Sequence, residues 1–509
     1  MEILKQCQIW HESNEYQQII DTLEALPAEE RTPEIDSELA RAYNNQADPT
    51  KPEGINMLKR AVSLLAPHEE YFQGEHFWNF RMGYAYYYLD QEGVALRYFE
   101  KALETRPGDE DSQWFIDACR KQLALPHFEK NFRQRTEEAW AAFEKIEAEI
   151  RAFMYMDTNH ERGDELIAKC SAVLEIAFEH IAFEIGFNGE KYELILSPEG
   201  LHANLFPLVY FQRHAPSSVL EHWNIWVGRL SSCDFTLHVD GWDISGEDVQ
   251  IWTEPRGEEQ ISLTLYCEKL LSLLQENERK AWWMLSLLTD QVLGDIASIA
   301  LIYDFDIVHE PKAQPSILLS QLPKAITDMG LSLISDAAAY LEHSYVAYEL
   351  DPVEDPEADW RLDSYTGSTR LPALINEYAR GESETMDRYH ANGVIAGFLC
   401  YPIREFCGEE RAKQILDFRD NLQAAIEKNA GANAVTFLGG ASGLYSGYLD
   451  FIAWDLPPVL DAAKTFFAES GLSWAGFRVF RRTVGAVRLW EQEPVLKIDT
   501  ETSSIADRD

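Results

Sequence analysis

The stretch RMGYAYYYLDQEGVALRYFEKALETRPGD, residues 81–109, contains the spacing that decides the fold of the first part of the chain. The residues that carry this spacing are Met82, Gly83, Tyr86, Ala95, Phe99, Ala102 and Pro107. Gly83 and Ala95 are small enough to let two antiparallel helices approach closely, while Phe99 and its larger neighbours fill the seam between them. Pro107 ends the second helix because proline cannot donate the helical amide hydrogen bond. The stretch therefore predicts a tight helical hairpin.

Weaker copies of this spacing lie on both sides of the hairpin. An earlier copy places Leu39, Ala40 and Tyr43 on a first helix and Gly54, Leu58 and Ala61 on a second. The segments 15–27 and 111–125 have the apolar period of two more helices. Residues 1–125 resemble the tetratricopeptide repeat family, although Asn79 stands where that repeat usually has tryptophan. The resemblance implies stacked helical hairpins, since a single repeat cannot bury its own apolar face.

Composition and charge restrict what the rest of the chain can be. The 509 residues are 46% hydrophobic and 12% aromatic, which is typical of a folded protein with about three structural units. The formal net charge of −42 argues against binding to nucleic acid, because affinity for phosphate backbones comes from lysine and arginine. A protein or peptide partner of this chain is therefore expected to be basic or apolar.

The position of the chain in the cell can also be predicted. The N-terminal segment lacks the apolar run of a signal peptide, and no uncharged apolar stretch of about 18 residues indicates a membrane helix. The seven cysteines are dispersed and never form a CxxC pair, which favours buried thiols in a reducing compartment. We therefore expect a cytoplasmic protein with no membrane contact.

Changes in apolar period divide the remaining sequence. Residues 126–186 have the 3–4 spacing of long bridging helices, which include a helix that runs on to Gly186. From Tyr192 onward, short runs rich in Ile, Val, Trp and Thr predict strands, and they alternate with helical segments. We predict two α+β domains with mainly antiparallel sheets, at 187–338 and 339–495, and a frayed polar tail at 496–509. The whole chain is then an α+β multidomain protein, similar in plan to uncharacterised bacterial proteins that carry such repeats.

The inner surface of the repeats is the first candidate site. The helical register places on this surface the partner-binding candidates Arg41, Asn44, Phe80, Tyr84, Tyr87, Trp114 and Lys121. Aromatic anchors with hydrogen-bonding side chains between them suit a peptide or protein partner. The alternative is that Tyr87 and Trp114 pack against neighbouring helices of the same chain.

Arg478 and Arg482 form the second candidate, because they belong to a basic run in an otherwise acidic chain. Alternation along a strand would place both on one face, where they could clamp an anionic ligand. The alternative is that they neutralise neighbouring acids such as Asp450 or Asp455.

Three other sequence patterns give weaker evidence for a functional site. The glycine-rich stretch LGGASGLYSG, residues 438–447, matches neither phosphate-binding fingerprint and is more typical of a tight hairpin turn that needs positive φ. No HExxH motif occurs, so no metal ligands are predicted. Asp304 and Asp306 fall on one face of a predicted strand, which we expect to be solvated.

The sequence therefore predicts a non-enzymatic protein-binding protein. It would use the repeat groove and its acidic surface, and it would act as an inhibitor or immunity-type protein for a basic partner. No catalytic residue and no cofactor is expected. The alternative is an enzyme with an anionic-substrate site between the two α+β domains, where Arg478 and Arg482 would hold the substrate and the hairpin 438–447 would act as a lid.

Overall fold

The computed structural model describes residues 2–156 and 162–492 of the chain. Its first part contains only helices. These are α1 (Glu2–Glu12), α2 (Tyr16–Glu24), α3 (Pro33–Gln46), α4 (Pro52–Leu65), α5 (His76–Tyr88), α6 (Glu92–Thr105), α7 (Glu110–Ala124), α8 (Phe132–Met156) and α9 (Gly163–Leu174). We call α1 to α7 the helical array, because each helix packs against the next one.

The hairpin predicted from residues 81–109 is formed by α5 and α6. A Cβ atom at Gly83 would lie 3.0 Å from the ring of Phe99, so the side chain of Phe99 fills the space that glycine leaves. Met82 and Phe99 are both fully buried. The carboxylate of Asp109 begins α7 by accepting a hydrogen bond from the amide of Ser112, which satisfies one free donor of that helix. Small residues and caps therefore set the geometry of this part of the array.

The predicted helix that runs to Gly186 is wrong at its end. Helix α9 stops at Leu174, and residues 182–187 form a strand instead. The strand is β1 (Ala182–Phe187), which pairs antiparallel with β2 (Tyr192–Ser197). Pairing with a strand that follows in the sequence overrides the local helical period.

A βαβ crossover completes this small sheet. It contains α10 (His202–Arg213), α11 (Ser217–Leu220) and β3 (Trp223–Val227). Strands β2 and β3 are parallel, and the sheet order is β1-β2-β3. Helix α10 continues through Pro207. The apolar residues of this sheet and of α10 belong to the same core as the C-terminal sheet.

Residues 236–328 form a unit with a separate core. Its elements are β4 (Thr236–Val239), β5 (Trp242–Ser245), β6 (Gln250–Arg256), β7 (Gln260–Tyr266), α12 (Leu271–Glu276), α13 (Glu278–Leu293), α14 (Asp295–Leu301), β8 (Ile302–Ile307), β9 (Ile317–Leu318) and α15 (Leu322–Asp328). A four-stranded sheet has the order β8-β7-β6-β9, and β4 pairs with β5. The core of this unit contains no residue of the C-terminal sheet.

Two expectations about composition can be compared with the structure. Within the described residues, no single helix combines the length and apolar character needed to cross a membrane; α13 and α14 meet that test only as a joined pair, bent by 104°. All seven cysteines are free thiols. Five are buried, but Cys233 and Cys407 are exposed, so the expectation of uniformly buried thiols is wrong for these two.

The C-terminal part is built on a seven-stranded antiparallel sheet. Its elements are α16 (Ala337–His343), β10 (Val346–Glu349), β11 (Ser364–Thr369), α17 (Pro372–Arg380), α18 (Glu384–Ala391), β12 (Ile395–Pro402), α19 (Arg411–Ala430), β13 (Val435–Gly443), β14 (Ser446–Ala453), α20 (Leu456–Ser470), β15 (Trp474–Val479) and β16 (Val487–Glu491). The strand order is β10-β11-β13-β14-β12-β15-β16. The four strands from β12 to β15 have the order of a split βαββαβ unit. The predicted tail at 496–509 lies outside the described residues.

Helices followed by mixed and antiparallel sheets make the chain an α+β protein. The short strands predicted from Tyr192 onward are present as β2, β3, β4, β6 and β7, and the hairpin predicted around residues 438–447 is formed by β13 and β14. Strands β15 and β16 pair antiparallel at one end of the seven-stranded sheet. Period-2 runs bounded by turn residues therefore located most of the strands correctly.

A charged pair lies buried on one face of the seven-stranded sheet. The guanidinium of Arg361 donates two hydrogen bonds to the carboxylate of Asp450, one of them 2.8 Å long, and both side chains are almost fully buried. The hydroxyl of Tyr348 accepts a third hydrogen bond from Arg361. Arg361 has a φ of 77°, a left-handed conformation that is rare for any residue except glycine. The surrounding contacts therefore hold this backbone in a strained state.

The helical array is held against the C-terminal part by buried charges. Nε2 of His390 on α18 lies 2.8 Å from a carboxylate oxygen of Glu92 on α6. Asp387, one turn earlier on α18, pairs with Arg97 of α6 and, at 2.7 Å, with Arg481. A Cβ atom at Gly93 would lie 2.1 Å from the Asp387 carboxylate, so only glycine permits this approach. Helix α6 is therefore the docking helix of the array.

The buried pair gives a prediction for stability. The Asp450→Asn variant keeps the shape of the side chain but leaves the Arg361 charge without its counter-ion. Removing one partner of a buried pair typically costs about 3–5 kcal/mol. Urea unfolding followed by circular dichroism should show a loss of this size in the free energy of unfolding. Asp461→Asn, at an exposed carboxylate of α20, is the control and should change it by less than about 0.5 kcal/mol. Equal small effects of the two variants would contradict the structural role of the pair.

Candidate functional site

The concave side of the helical array contains two adjoining hollows. Their volumes are about 480 and 490 Å³, and four residues line both of them, namely Glu38, Arg41, Phe77 and Arg81. Helices α3 and α5 supply these four residues. We call the joined hollows the groove. It is large enough for several side chains of a bound peptide.

Four of the seven predicted partner-binding residues line the groove. Arg41, Asn44, Phe80 and Tyr84 line its second hollow, as the helical register predicted. Helices α3 and α5 pack side by side, and these side chains lie on one side of the pair. The register of the first helix in each hairpin is therefore consistent with a shared inner surface.

The other three predicted residues lie outside this lining. The ring of Tyr87 packs edge-on against Phe115 with centroids 5.1 Å apart, which agrees with the alternative that it packs within the chain. Trp114 is 58% exposed and also contacts Phe115. Lys121 is exposed on α7. These three residues are therefore not brought together with the first four in one hollow.

Hydrogen bonds fix the floor of the groove. The guanidinium of Arg81 donates to the carbonyl oxygen of Ser37 at 3.1 Å and to the carboxylate of Glu38 at 2.6 Å. The amide nitrogen of Asn44 donates in turn to the carbonyl oxygen of Arg81 at 3.0 Å. These bonds join α3 to α5 and hold both helices at a fixed distance. The floor is therefore rigid, and Asn44 contributes to its structure as well as to its lining.

Glu38 is the central charge of this floor. Besides Arg81, it lies 3.2 Å from Nε2 of His11 and 3.5 Å from the guanidinium of Arg41. Burial alone would raise the pKa of the Glu38 carboxyl, but the contact with His11 and the charge of Arg81 outweigh burial and lower this pKa to about 2. The carboxylate therefore stays ionised across the neutral range.

The groove has more acidic than basic groups. Six carboxylates line it, those of Glu12, Glu34, Glu38, Glu75, Asp109 and Asp111, against the three guanidiniums of Arg41, Arg81 and Arg106. The ring of Phe77, 55% exposed, lies where the two hollows meet. An exposed aromatic ring between acidic walls suits an apolar or cationic side chain.

Phe77 and Arg81 were missed by the sequence analysis. They continue the face of Phe80 and Tyr84, since positions 77, 80, 81 and 84 follow the i, i+3, i+4, i+7 spacing of one helix face. The helix-face spacing that identifies Phe77 and Arg81 is therefore present in the stretch EHFWNFRMGY, residues 75–84. The comparison with the repeat uses a different position in this stretch, Asn79. Asn79 is buried and bonds to the backbone of its own helix.

The second predicted site is occupied by internal contacts. Nε and one terminal nitrogen of Arg478 donate to the carbonyl of Val484 at 3.1 and 2.8 Å, and the other terminal nitrogen donates to Asp359 at 3.0 Å. Arg482 lies beyond the end of β15, so the predicted alternation does not apply to it, yet its Nε is 3.8 Å from the same Asp359. Both arginines therefore neutralise one carboxylate.

The predicted neutralisation partners of these arginines were wrong. Asp450 pairs with Arg361, as described above, and Asp455 accepts a hydrogen bond from the side chain of Asn131 at 3.0 Å. Asp359 replaces them because the loop before Arg361 crosses the sheet next to β15. This proximity depends on the tertiary fold and has no local signal in the sequence.

The glycine-rich hairpin is part of the sheet and not a lid. Strands β13 and β14 lie inside the seven-stranded sheet, each paired on both sides. The positive φ, 133°, occurs at Gly439 within a bulge of β13 and not at the turn. A Cβ atom there would lie 2.1 Å from the carbonyl oxygen of Ser368, so this glycine permits close pairing with β11.

The remaining acidic candidates are solvent-facing. Asp304 and Asp306 are exposed on β8, which confirms the predicted solvated face. Asp304 is 3.6 Å from the guanidinium of Arg256. In the ranges 2–156 and 162–492, His, Cys, Asp and Glu side chains form no group of three or more arranged to hold a metal ion.

The low pKa of Glu38 gives a prediction for pH dependence. A depressed pKa stabilises the fold above the ordinary value of the group, and this contribution is lost as the pH falls from about 4.5 toward about 2. Glu38→Gln should lower the melting temperature at neutral pH by an amount equivalent to about 2 kcal/mol, and the deficit should shrink below about pH 4. Calorimetric scans over this pH range measure it. The control is Glu12→Gln, an exposed groove carboxylate, for which a small and constant difference is expected; a constant deficit for Glu38→Gln would contradict the ion-pair argument.

Comparison with known proteins leaves the groove as the main guide to function. No protein-family model, no curated protein and no solved structure matches the chain. Function is therefore inferred from the shape, charge and exposed aromatic side chains of this surface.

Proposed function

We propose that this chain is a non-enzymatic binding protein whose groove holds a segment of another protein. The observation that carries the proposal is Phe77, a half-exposed aromatic ring at the meeting point of two hollows, on a floor fixed by Arg81 and Glu38. An exposed ring of this size on a rigid concave surface is typical of an anchor position in an interface. Binding to it would bury a large apolar area without rearranging the helices.

We infer that residues 1–125 are repeats of the tetratricopeptide type. The seven helices of the array pack in sequence order, and the close approach at Gly83 supports a repeated hairpin geometry. The inner helices α3 and α5 present the groove, while α6 on the other side docks to α18 through Glu92 and Asp387. The array thus uses one face for the groove and another for its contact with α18, which supports a repeat scaffold that presents one face to a partner.

The partner that we propose is basic, with apolar anchors. The groove carries six carboxylates and three guanidiniums, and the whole chain has a net charge of −42. Such a field accelerates the association of a cationic protein and discriminates against anionic ones. An inhibitor or immunity-type role toward a basic enzyme is the function that these features support best.

The enzyme alternative loses its two central residues. Arg478 and Arg482 are engaged by Asp359 and by backbone carbonyls, so an anionic substrate would have to displace internal bonds. The proposed lid is an internal part of a sheet. We therefore keep the groove as the proposed site.

Phe77→Ala should strongly reduce partner capture without unfolding the chain. The ring is half exposed, so its loss costs little stability, whereas truncation of an anchor typically weakens binding by about 2 kcal/mol or more, a factor of about 30. Lysate proteins retained by the immobilised wild-type chain and by the variant would be compared by quantitative mass spectrometry.

Trp283→Ala is the matched control, because Trp283 is 51% exposed on α13, in the unit with the separate core. It should retain the same proteins as the wild type. Proteins that Phe77→Ala loses should have a basic composition and should elute at about 1 M salt, where charges are screened. Identical capture by Phe77→Ala and the wild type would exclude the groove as the binding site.

A further inference from the structure

A second surface of the chain lies far along the sequence from the groove. Strand β10 is the terminal strand of the seven-stranded sheet among the described residues, so one of its edges has no strand partner. Large exposed apolar side chains gather around it, those of Tyr345, Val346, Leu350, Val353 and Tyr365, each between 40 and 52% exposed. The opposite terminal strand, β16, has no exposed large apolar side chain. The edge at β10 is thus the apolar edge of the sheet.

The hydrogen-bond register shows which backbone groups face outward. The amide of Leu350 donates to the carbonyl of Tyr365 at 3.0 Å, and Leu350 is opposite Tyr365 in the register that pairs Val346 with Thr369. In an antiparallel pair, every second residue bonds to the neighbouring strand. Ala347 and Glu349 therefore direct their N–H and C=O groups away from β11. This open edge can accept one more strand.

Side chains alternate in chemistry along the same edge. Val346 and Leu350 are on one face of β10, and Glu349 is on the other, since successive side chains of a strand point to opposite faces. Tyr365 of β11 is opposite Leu350 and extends the apolar face. A strand added at this edge would place its own alternate side chains beside an apolar face and beside an acidic one.

Acidic side chains continue beyond the end of the strand. Glu349, Asp351, Glu354, Asp355 and Glu357 are all exposed. Within the part of the chain that the structure describes, none of the five lies within 4.0 Å of a lysine, arginine or histidine nitrogen in an ion pair, whereas Glu38 in the groove pairs with His11, Arg41 and Arg81. Their charges are therefore available to a cationic ligand.

We propose that the open edge of β10 binds an extended segment of a partner protein in which apolar and basic residues alternate. The segment adds an eighth strand to the sheet through the outward groups of Ala347 and Glu349. Its apolar side chains pack beside Val346 and Leu350, and its lysines or arginines face Glu349, which is exposed on the opposite face of β10. This surface is separate from the groove and does not depend on the function proposed for it.

A second copy of the chain fits this edge less well. Antiparallel pairing of two β10 strands would add an apolar edge to an identical one, but it would also bring together two chains of charge −42. Complementary charge favours a basic partner over self-association. The oligomeric state is therefore one of the outcomes of the test.

The probe is a fluorescent seven-residue peptide of alternating lysine and valine. We expect it to bind the wild-type chain in fluorescence anisotropy, and to bind about tenfold or more weakly when alternate backbone nitrogens along one edge of the peptide are methylated, because methylation blocks strand addition. A peptide with glutamate in place of lysine should not bind. Raising the salt from about 0.05 to 0.5 M should weaken binding severalfold.

Variants of the protein test the role of the β10 edge in binding this peptide. Ala347→Pro removes an outward N–H that β11 does not use, and proline is tolerated on edge strands, so the sheet should remain folded while affinity falls about tenfold or more. Glu349→Gln should reduce the salt dependence. Phe77→Ala should leave the affinity for this peptide unchanged.

Three results would overturn the proposal. The first is equal binding of the methylated and unmethylated peptides to the wild-type chain, a comparison that needs no variant to fold. The second is loss of binding in Phe77→Ala, which would place the peptide in the groove. The third is a concentration-dependent dimer in analytical ultracentrifugation that Ala347→Pro dissociates, which would assign the edge to a second copy.

Discussion

The pair of Arg361 and Asp450 imposes one constraint on the whole C-terminal part. A carboxylate at the centre of a sheet face needs a counter-ion, because an unpaired buried charge is far more costly than a buried apolar side chain. Asp450 lies on the central strand β14, and no neighbouring strand residue neutralises it. Residues 351–363 must therefore cross the sheet face so that the side chain of Arg361 can reach Asp450. With its positive φ, the backbone of Arg361 directs the guanidinium toward Asp450.

Several features follow from this crossing segment. The ring of Trp360 lies over Gly476, where a Cβ atom would be 2.3 Å from it, and stacks on Trp474 with centroids 5.5 Å apart. Asp359, one residue earlier, reaches Arg478 and Arg482. The acidic loop and the basic run, two charge features that stand far apart in the sequence, thus neutralise each other in part.

The sequence allowed the helices and most strands to be predicted, because these depend on local period and turn residues. Strand β1 was missed since its short apolar run is compatible with a helix until its pairing with β2 is known. Arg361 could not be found because its partner is 89 residues away. Phe77 could have been found, because it belongs to the same helix face as Phe80 and Tyr84. The parts of the fold that could not be predicted depend on pairing between residues far apart in the sequence. In the groove, Phe77 was missed because the helix face of α5 was not followed over its full length.

The docking of the array has a consequence for the groove. Helix α6 is held on α18 by Glu92 and Asp387, and α5 packs on α6 through Gly83 and Phe99. The wall of the groove that carries Phe77 is thereby attached to the large C-terminal core through one intervening helix. A wall held in this way loses little conformational freedom when a ligand binds, so more of the interaction free energy is available for affinity. In the proposed binding, the buried charges at α18 would contribute to affinity without touching the ligand, because they keep α5 in the position at which its aromatic face is exposed.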